Sequence, residues 1–307
     1  MTKIVTDQLQ RRDGVEFTLP LKDGTAGQSL LTDGKGNLTF TPATVGEAVV
    51  APGQAFYGFG AGTYAWTCPP GVTSVCVVCI GGGAGNPGQT YSSGQGGGGL
   101  GWKNDIPVSP GKTYTVQVGN GGESLGGRPF FGQTDSTGGT SFFIDTNTVC
   151  GRGGAAPGGG TWVGDGGGNG GYNGGNGGGG AGGYTGNGGG SSTADGSGGG
   201  GAAGGAYSST YGYASGGGTG PFGQGASGSG GSYMGGGGGS GGEQGRGAEN
   251  PYFSRGSPML DGGLYGGGSG AGGNSTERYG THRGGRGCVR IIWGTGRKFP
   301  STGTGDM

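Results

Sequence analysis

Gly168-Asn-Gly-Gly-Tyr-Asn-Gly-Gly-Asn-Gly-Gly-Gly-Gly-Ala-Gly-Gly-Tyr-Thr-Gly-Asn-Gly-Gly189 carries glycine at every third position, eight times in succession. The residues between tend to recur at the same interval: Asn169 and Tyr172, Asn173 and Asn176, then Ala181, Tyr184 and Asn187. A period of three is neither the helix period nor the strand period. It is the period of the left-handed polyproline II helix, which rises ~3.1 Å per residue and has no internal hydrogen bonds. The run belongs to a tract, residues 151–287, that holds most of the 98 glycines in this 307-residue chain.

Three readings compete for the tract. A collagen triple helix needs proline at roughly 15–20 % in addition to the glycine; the chain has 14 prolines, few of them within the glycine runs. A disordered linker is what composition alone favours, because glycine loses more backbone entropy on ordering than any other residue. The third reading is a bundle of polyglycine II helices. Their bare backbones pair laterally through N–H···O=C bonds and through Cα–H···O contacts of ~0.5–1 kcal/mol each. Ordering costs about 1–2 kcal/mol per residue, so such a bundle needs an anchoring framework.

The flanking sequence supplies a candidate for it. Residues 1–50 read as short strands and turns. Val15-Glu-Phe-Thr-Leu19 alternates, and Leu30-Leu31 is separated from Leu38-Thr-Phe40 by the turn signals Asp33-Gly34 and Gly36-Asn37. A lone hairpin is marginal in water, so this one should pair with a neighbour or another subunit. Residues 41–52 read as a linker. From Phe56 to Gly151 the pattern is β throughout. Val72-Thr-Ser-Val-Cys-Val-Val-Cys-Ile80 is a near-continuous β-branched run that must be central and covered on both faces. Lys112-Thr-Tyr-Thr-Val-Gln-Val118 alternates, and Gly138–Ile144 and Thr148–Cys150 read as further strands. The complementary strand, Gly287-Cys-Val-Arg-Ile-Ile-Trp-Gly294, lies beyond the tract.

Composition excludes several function classes. Net charge is zero, from 17 basic and 17 acidic residues, whereas a nucleic-acid binder shows a basic stripe. No run approaches the ~20 apolar residues of a membrane span. The first thirteen residues hold no apolar core of a secretory signal, so synthesis in a cytoplasm without a leader is expected. Five cysteines, an odd number, point to reduced and partly buried thiols.

Two passages carry a resemblance. Asp23-Gly-Thr-Ala-Gly-Gln through Phe40 resembles a segment of bacteriophage tail-fibre and other virion proteins. The ordered set GTYAWTCPPGVTSVCVVCIGGGAG, VSPGKTYTVQVGNGG, GGTSFF and GGRGCVRIIW is similar to the glycine-rich domain of many phage tail and bacterial surface proteins, over residues 55–294. The ending from Val289 to Thr302 resembles C-termini of cyanophage structural proteins. Cys76, Cys79 and Cys288 depart from that pattern, which more usually has apolar residues there. The resemblance implies that both ends of the tract are sewn into one small β-sandwich, the framework that the bundle needs. The expected fold is therefore all-β: a short N-terminal β attachment segment (residues 1–50), then a glycine-rich domain (residues 51–294) and a C-terminal tail (residues 295–307). Within the domain, the sandwich (residues 55–150 and 287–294) carries the tract (residues 151–287) as a polyglycine II bundle.

Islands of side chains interrupt the glycine. Thr161–Val163, Tyr207–Tyr213, Asn250–Leu260 and Thr276–Arg283 are the main ones, with Pro221-Phe222 and Tyr233-Met234 smaller. Aromatics among small polar neighbours suit adaptable recognition loops. Trp162, Tyr207, Tyr211, Tyr213, Phe222, Tyr233, Tyr252, Phe253 and Tyr279 are thus candidate receptor-binding residues. The bland alternative is that they cap the bundle and hide its edges, since Tyr and Trp bury readily with one end wet.

Catalytic and metal patterns fail on inspection. Cys76-Val-Val-Cys79 lies in a strand, so its thiols point to opposite faces. Pro110-Gly-Lys-Thr113 lacks the first glycine of a P-loop, with Ile106 in its place. His282 sits among Arg278, Arg283 and Arg286 and reads as part of a solvated basic patch. No cofactor, metal or nucleic-acid partner is expected. The resemblance implies a virion protein of the tail or fibre, in a phage of cyanobacteria. Residues 1–50 would meet other tail proteins, and the domain would meet a host surface receptor, protein or glycan. A homo-oligomer fits this role, with three chains the common number among fibre proteins, although no heptad repeat marks it. A purely structural spacer or decoration subunit is the alternative.

Overall fold

A computed structural model describes residues 8–10, 16–18, 20, 28–32, 35, 37–42, 50–86, 94–123, 136–155, 158–172, 177–190, 195–197, 200–205, 207–208, 212–230, 235–245, 261–270 and 282–301. No helix occurs among them, and every strand pairing is antiparallel. The chain forms two compact units, Met1–Val50 and Ala51–Met307.

The first unit holds two two-stranded ladders: β1 (Gln8–Gln10) with β2 (Glu16–Thr18), and β3 (Gln28–Thr32) with β4 (Leu38–Pro42). The second ladder joins the two apolar runs read in the sequence, with Leu30 opposite Phe40 and Leu31 opposite Thr39. Leu30 and Leu31 are consecutive in a strand, so they face opposite sides, and both are more than two-fifths exposed. The turn residues Asp33, Gly34 and Gly36 lie outside the described residues.

The second unit is built on two five-stranded sheets. Its strands are β5 (Gly53–Tyr57), β6 (Gly62–Thr67), β7 (Ser74–Ile80), β8 (Leu100–Pro107), β9 (Thr113–Val118), β10 (Ser141–Phe143), β11 (Val149–Gly151), β12 (Trp162–Val163), β13 (Gly166–Gly168), β14 (Tyr207–Ser208), β15 (Gly212–Tyr213) and β16 (Cys288–Trp293). One sheet runs β12-β11-β10-β9-β6 and the other β13-β8-β7-β16-β5, while β14 and β15 pair separately. The β-branched run of β7 takes the central place, between β8 and the returning strand β16. The chain end thus pairs with a strand more than two hundred residues earlier and closes the unit.

Both faces of that central strand are covered, as an unbroken apolar run requires. On one face the two sheets meet: Trp66 of β6 lies 5.7 Å from Phe143 and 5.9 Å from Trp293, ring centre to ring centre. Cys79 points its thiol at the Val149 carbonyl, 3.8 Å away, across the same gap. The opposite face of β7, β8 and β16 buries Cys76, Val78, Ile80, Leu100, Trp102, Cys288 and Ile292 beneath Tyr184 and Phe299. Each such side chain contributes about 1.5–3 kcal/mol when removed from water. Cys76 and Cys79 therefore lie on opposite faces, and all five cysteines are free and buried.

The glycine segments continue the strands without a break. After β7, the amides of Gly81 and Ala84 donate to the carbonyls of Gly99 and Gly96. Those of Gly82 and Gly85 donate to Gly139 and Ser136, and those of Gly83 and Asn86 to Gly285 and His282. Successive amides address three neighbours in turn, and every third one returns to the same neighbour, three residues further along it. Within the tract, Gly178 and Ala181 donate to Ala214 and Gly217, Gly179 and Gly182 to Gln95 and Gly98, and Gly180 and Gly183 to Gly189 and Gly186. These twelve bonds span 2.7–3.0 Å, the range of well-formed N–H···O bonds. Backbones approach so closely that a Cβ on Gly180 would overlap the Ala202 carbonyl. The glycine here serves contact.

Tyr184 fastens this array to the second sheet. Its main-chain carbonyl accepts the Trp102 indole N–H at 2.7 Å, and its ring stacks 5.9 Å from Phe299. Its hydroxyl donates to the Gly220 carbonyl (3.1 Å) and accepts from the Gly223 amide (3.0 Å). Burial pushes the phenol well above its ordinary pKa. Phe299 is held in turn by Asn104, which bonds both its amide (3.0 Å) and its carbonyl (2.7 Å).

Candidate functional site

The glycine segments leave the sheets at Gly81, Gly119 and Gly287 and end, away from the sheets, in one connected layer. Asn86 donates its amide to His282, Gly85 to Ser136, Gln95 to Ser269, and Ser269 to Ala84. Gly205 donates to Gly178, Gly178 to Ala214, Gly236 to Ser215, and Gly245 to Gly236. The Ser215 hydroxyl donates to the Asp261 carbonyl at 2.8 Å, and the Asp261 carboxylate accepts the Arg283 amide at 2.9 Å. Described residues on both sides of 87–93, 206–213, 246–260 and 271–281, and on one side of 231–234, belong to this layer.

The layer is closed by polar side chains. Asn86, Gln95, Ser215 and Ser269 are at most 2 % exposed, and His282 is 5 % exposed. Burial lowers the His282 pKa, opposed by the negative charge of Asp261. The sequence had placed His282 in a solvated basic patch; its main chain instead sits inside the array, bonded to Asn86, and draws the ring in with it. Arg283 does reach solvent and lies 4.0 Å from Glu123.

The candidate aromatics divide between the two ends. Tyr207 and Tyr213 are direct cross-strand partners in the β14–β15 hairpin, which begins and ends at the layer through Gly205 and Ala214. Trp162 and Phe222 belong to the sheet end. Trp162 is half-buried in β12, opposite Gly151. Phe222 is 41 % exposed; its ring centre lies 5.9 Å from that of Phe56, with the Arg290 guanidinium 4.8 Å from its own. Arg290 is fully buried and grips Gln54 Oε1 through Nε (2.9 Å) and a terminal nitrogen (2.6 Å). Tyr211, Tyr233, Tyr252, Phe253 and Tyr279 lie outside the described residues.

Three exposed aromatics among the described residues, Phe59, Tyr64 and Tyr172, escaped the sequence reading. Phe59 is 84 % exposed and stands edge-on to Phe56, and Tyr172 is 58 % exposed. Phe59 falls within Gly58-Phe-Gly60, where no alternation assigns it a buried face. Tyr172 looked like one member of the three-residue repeat and nothing more.

Burial raises Cys79 and Cys288 well above the ordinary thiol pKa, which keeps both protonated and poorly nucleophilic. Among the described residues, no group of three His, Cys, Asp or Glu side chains could hold a metal ion, and no helix is long and apolar enough to cross a membrane. A family model described as a glycine-rich domain matches residues 59–294. No curated protein matches the chain.

Proposed function

The chain belongs to the glycine-rich domain family, and from that premise we propose that it is a non-enzymatic virion protein, a phage tail or fibre adhesin. In this reading the two sheets form a small β-sandwich and the glycine segments a bundle of polyglycine II helices standing on it. The bundle is a stiff scaffold whose far end presents Tyr207, Tyr211, Tyr213, Tyr233, Tyr252, Phe253 and Tyr279 to a host surface receptor, protein or glycan. Residues 1–50 attach the particle-side end to other tail proteins, and the exposure of both Leu30 and Leu31 agrees with an unfinished, partner-seeking ladder.

One observation carries the reading: the residues that bracket the aromatic stretches are hydrogen-bonded to one another in a single layer opposite the sheets. A disordered tether has no such layer. The helix assignment is supported by the match of two periods of three, one in the glycines of 168–189 and one in the amide donors. The phage assignment rests on the likeness of Asp23–Phe40, of the domain's motif order and of the C-terminal stretch to virion proteins.

Hydrogen exchange over residues 164–273 tests the scaffold, with slow exchange expected. Binding of the purified chain to intact cyanobacterial cells tests the function: Tyr207→Ala with Tyr213→Ala should reduce it at least several-fold. Unchanged binding after alanine replacement of all seven aromatics would leave the spacer reading. The packing of Trp162 and Phe222 into the sheet end already favours that reading for those two residues.

A further inference from the structure

An open sheet edge offers its amides and carbonyls to any other strand, and proteins ordinarily blunt such edges with brevity, charge, proline or a cover. Three of the four sheet ends here are blunted. β12 has two residues and β13 is three glycines. At β5, the C-terminal segment returns, and Arg297 donates to the Gly53 carbonyl at 2.6 Å. β6 is different. Its residues Gly62-Thr-Tyr-Ala-Trp-Thr67 include no charge and no proline, and they pair with β9 without a shift of register. Thr63, Tyr64, Ala65 and Thr67 are exposed, and among the described residues no strand lies beyond β6. A Cβ built on Gly62 would meet nothing within 4 Å.

The direction of each group along this edge follows from its register. Just past β6, Cys68 donates its amide to the Lys112 carbonyl at 2.9 Å. Bonded and non-bonded pairs alternate in an antiparallel ladder. Gly62, Tyr64 and Trp66 therefore bond to β9, while Thr63, Ala65 and Thr67 turn their amides and carbonyls outward. We propose that this edge pairs antiparallel with β6 of a second copy of the chain, about a two-fold axis at Ala65, joining two five-stranded sheets into one.

The sequence of β6 is complementary to its own reversal. The axis sets Ala65 opposite Ala65, Thr63 opposite Thr67, and Tyr64 opposite Trp66. The outward amides of Thr63, Ala65 and Thr67 meet the outward carbonyls of Thr67, Ala65 and Thr63. The same side-chain pairs already occur inside the molecule. Thr67 and Thr113 share a hydroxyl bond at 3.1 Å, and Trp66 and Tyr114 lie 6.0 Å apart, ring centre to ring centre. A charge at any of these positions would face its own kind or an uncharged group across the axis, and none is present.

Sedimentation of the full chain at micromolar concentration tests the pairing. The expected mass is twice the 29.3 kDa of one chain. Ala65→Lys and Ala65→Glu each put like charges on the axis and should give single-chain mass; mixing the two variants should restore the doubled mass. Exchange at Thr63 and Thr67, whose amides turn outward, should be at least tenfold slower in the wild type than in either variant. Three results would overturn the proposal: a wild type at single-chain mass; any larger mass that Ala65→Lys leaves unchanged; or a mixture of two normally folded variants that stays at single-chain mass.

Discussion

The indole N–H of Trp102 donates to the main-chain carbonyl of Tyr184 at 2.7 Å, across 82 positions of sequence. Trp102 belongs to β8 and Tyr184 to the glycine tract, so this bond and the buried ring beside it couple the array to the sheet. Tyr184→Phe leaves the buried Gly220 carbonyl and Gly223 amide without the hydroxyl and should cost about 1–3 kcal/mol. Tyr184→Ala also empties the space against Phe299 and should cost about 3–5 kcal/mol, as large-to-small core changes of aromatic residues do. Urea unfolding of both variants checks the order. Equal effects would mean that the ring carries none of the coupling.

Gly180→Ala separates a packed array from a flexible tract by the sign of its effect. In a flexible segment the change is neutral, or stabilises by about 0.4–1 kcal/mol through the unfolded state. Here the new Cβ collides with the Ala202 carbonyl, backbone against backbone, and the array has to part. The expected result is a loss of about 1–3 kcal/mol. Thermal unfolding of wild type and variant decides it.

Much of the framework is legible in the chain because its signals are local. The β-branched run of β7, the alternation in β9 and the apolar closing stretch of β16 each name a strand. Turn residues between Leu30 and Leu38 name the hairpin of the first unit. The glycine array is less legible, for a physical reason: glycine has no side chain to record which neighbour it touches. Residues 81–86 and 94–99 look like loop in the sequence, yet they carry the same three-way bonding as the tract. β12 and β13 lie within the tract by composition but pair with framework strands. His282 misled because its arginine neighbours suggest solvent, whereas its burial is set by a backbone bond to Asn86, nearly two hundred residues away.

Thiol chemistry should report the integrity of both sheets. All five cysteines are buried, and burial raises the pKa of Cys68, Cys76, Cys79 and Cys288. A maleimide at neutral pH should therefore label none of them in the folded protein and all of them in urea. For a group whose folded pKa is raised, the unfolded chain releases its proton first as pH increases. Stability is then full below the unfolded thiol pKa, near ~8.5, and falls above it. Unfolding midpoints measured from pH 7 to 10 should decline, and replacing Cys79 and Cys288 by alanine should flatten that decline.

His282 makes the opposite prediction at the acid end. Its folded pKa is lowered by burial, so at falling pH the unfolded chain takes up a proton that the folded chain resists. The stabilisation is complete above the ordinary histidine value, near ~6.5, and is lost as pH drops below it. The negative charge of Asp261 opposes the shift and limits the size of the effect. Because Asn86, Ser136 and Ser269 are tied into the same layer, protonation should loosen that layer before the sheets. Exchange at Gly85 and Asn86 should accelerate between pH 7 and 5 while exchange in β7 and β16 holds steady. In His282→Gln the acceleration should vanish. If it persists in that variant, the acid sensitivity of the layer has another source.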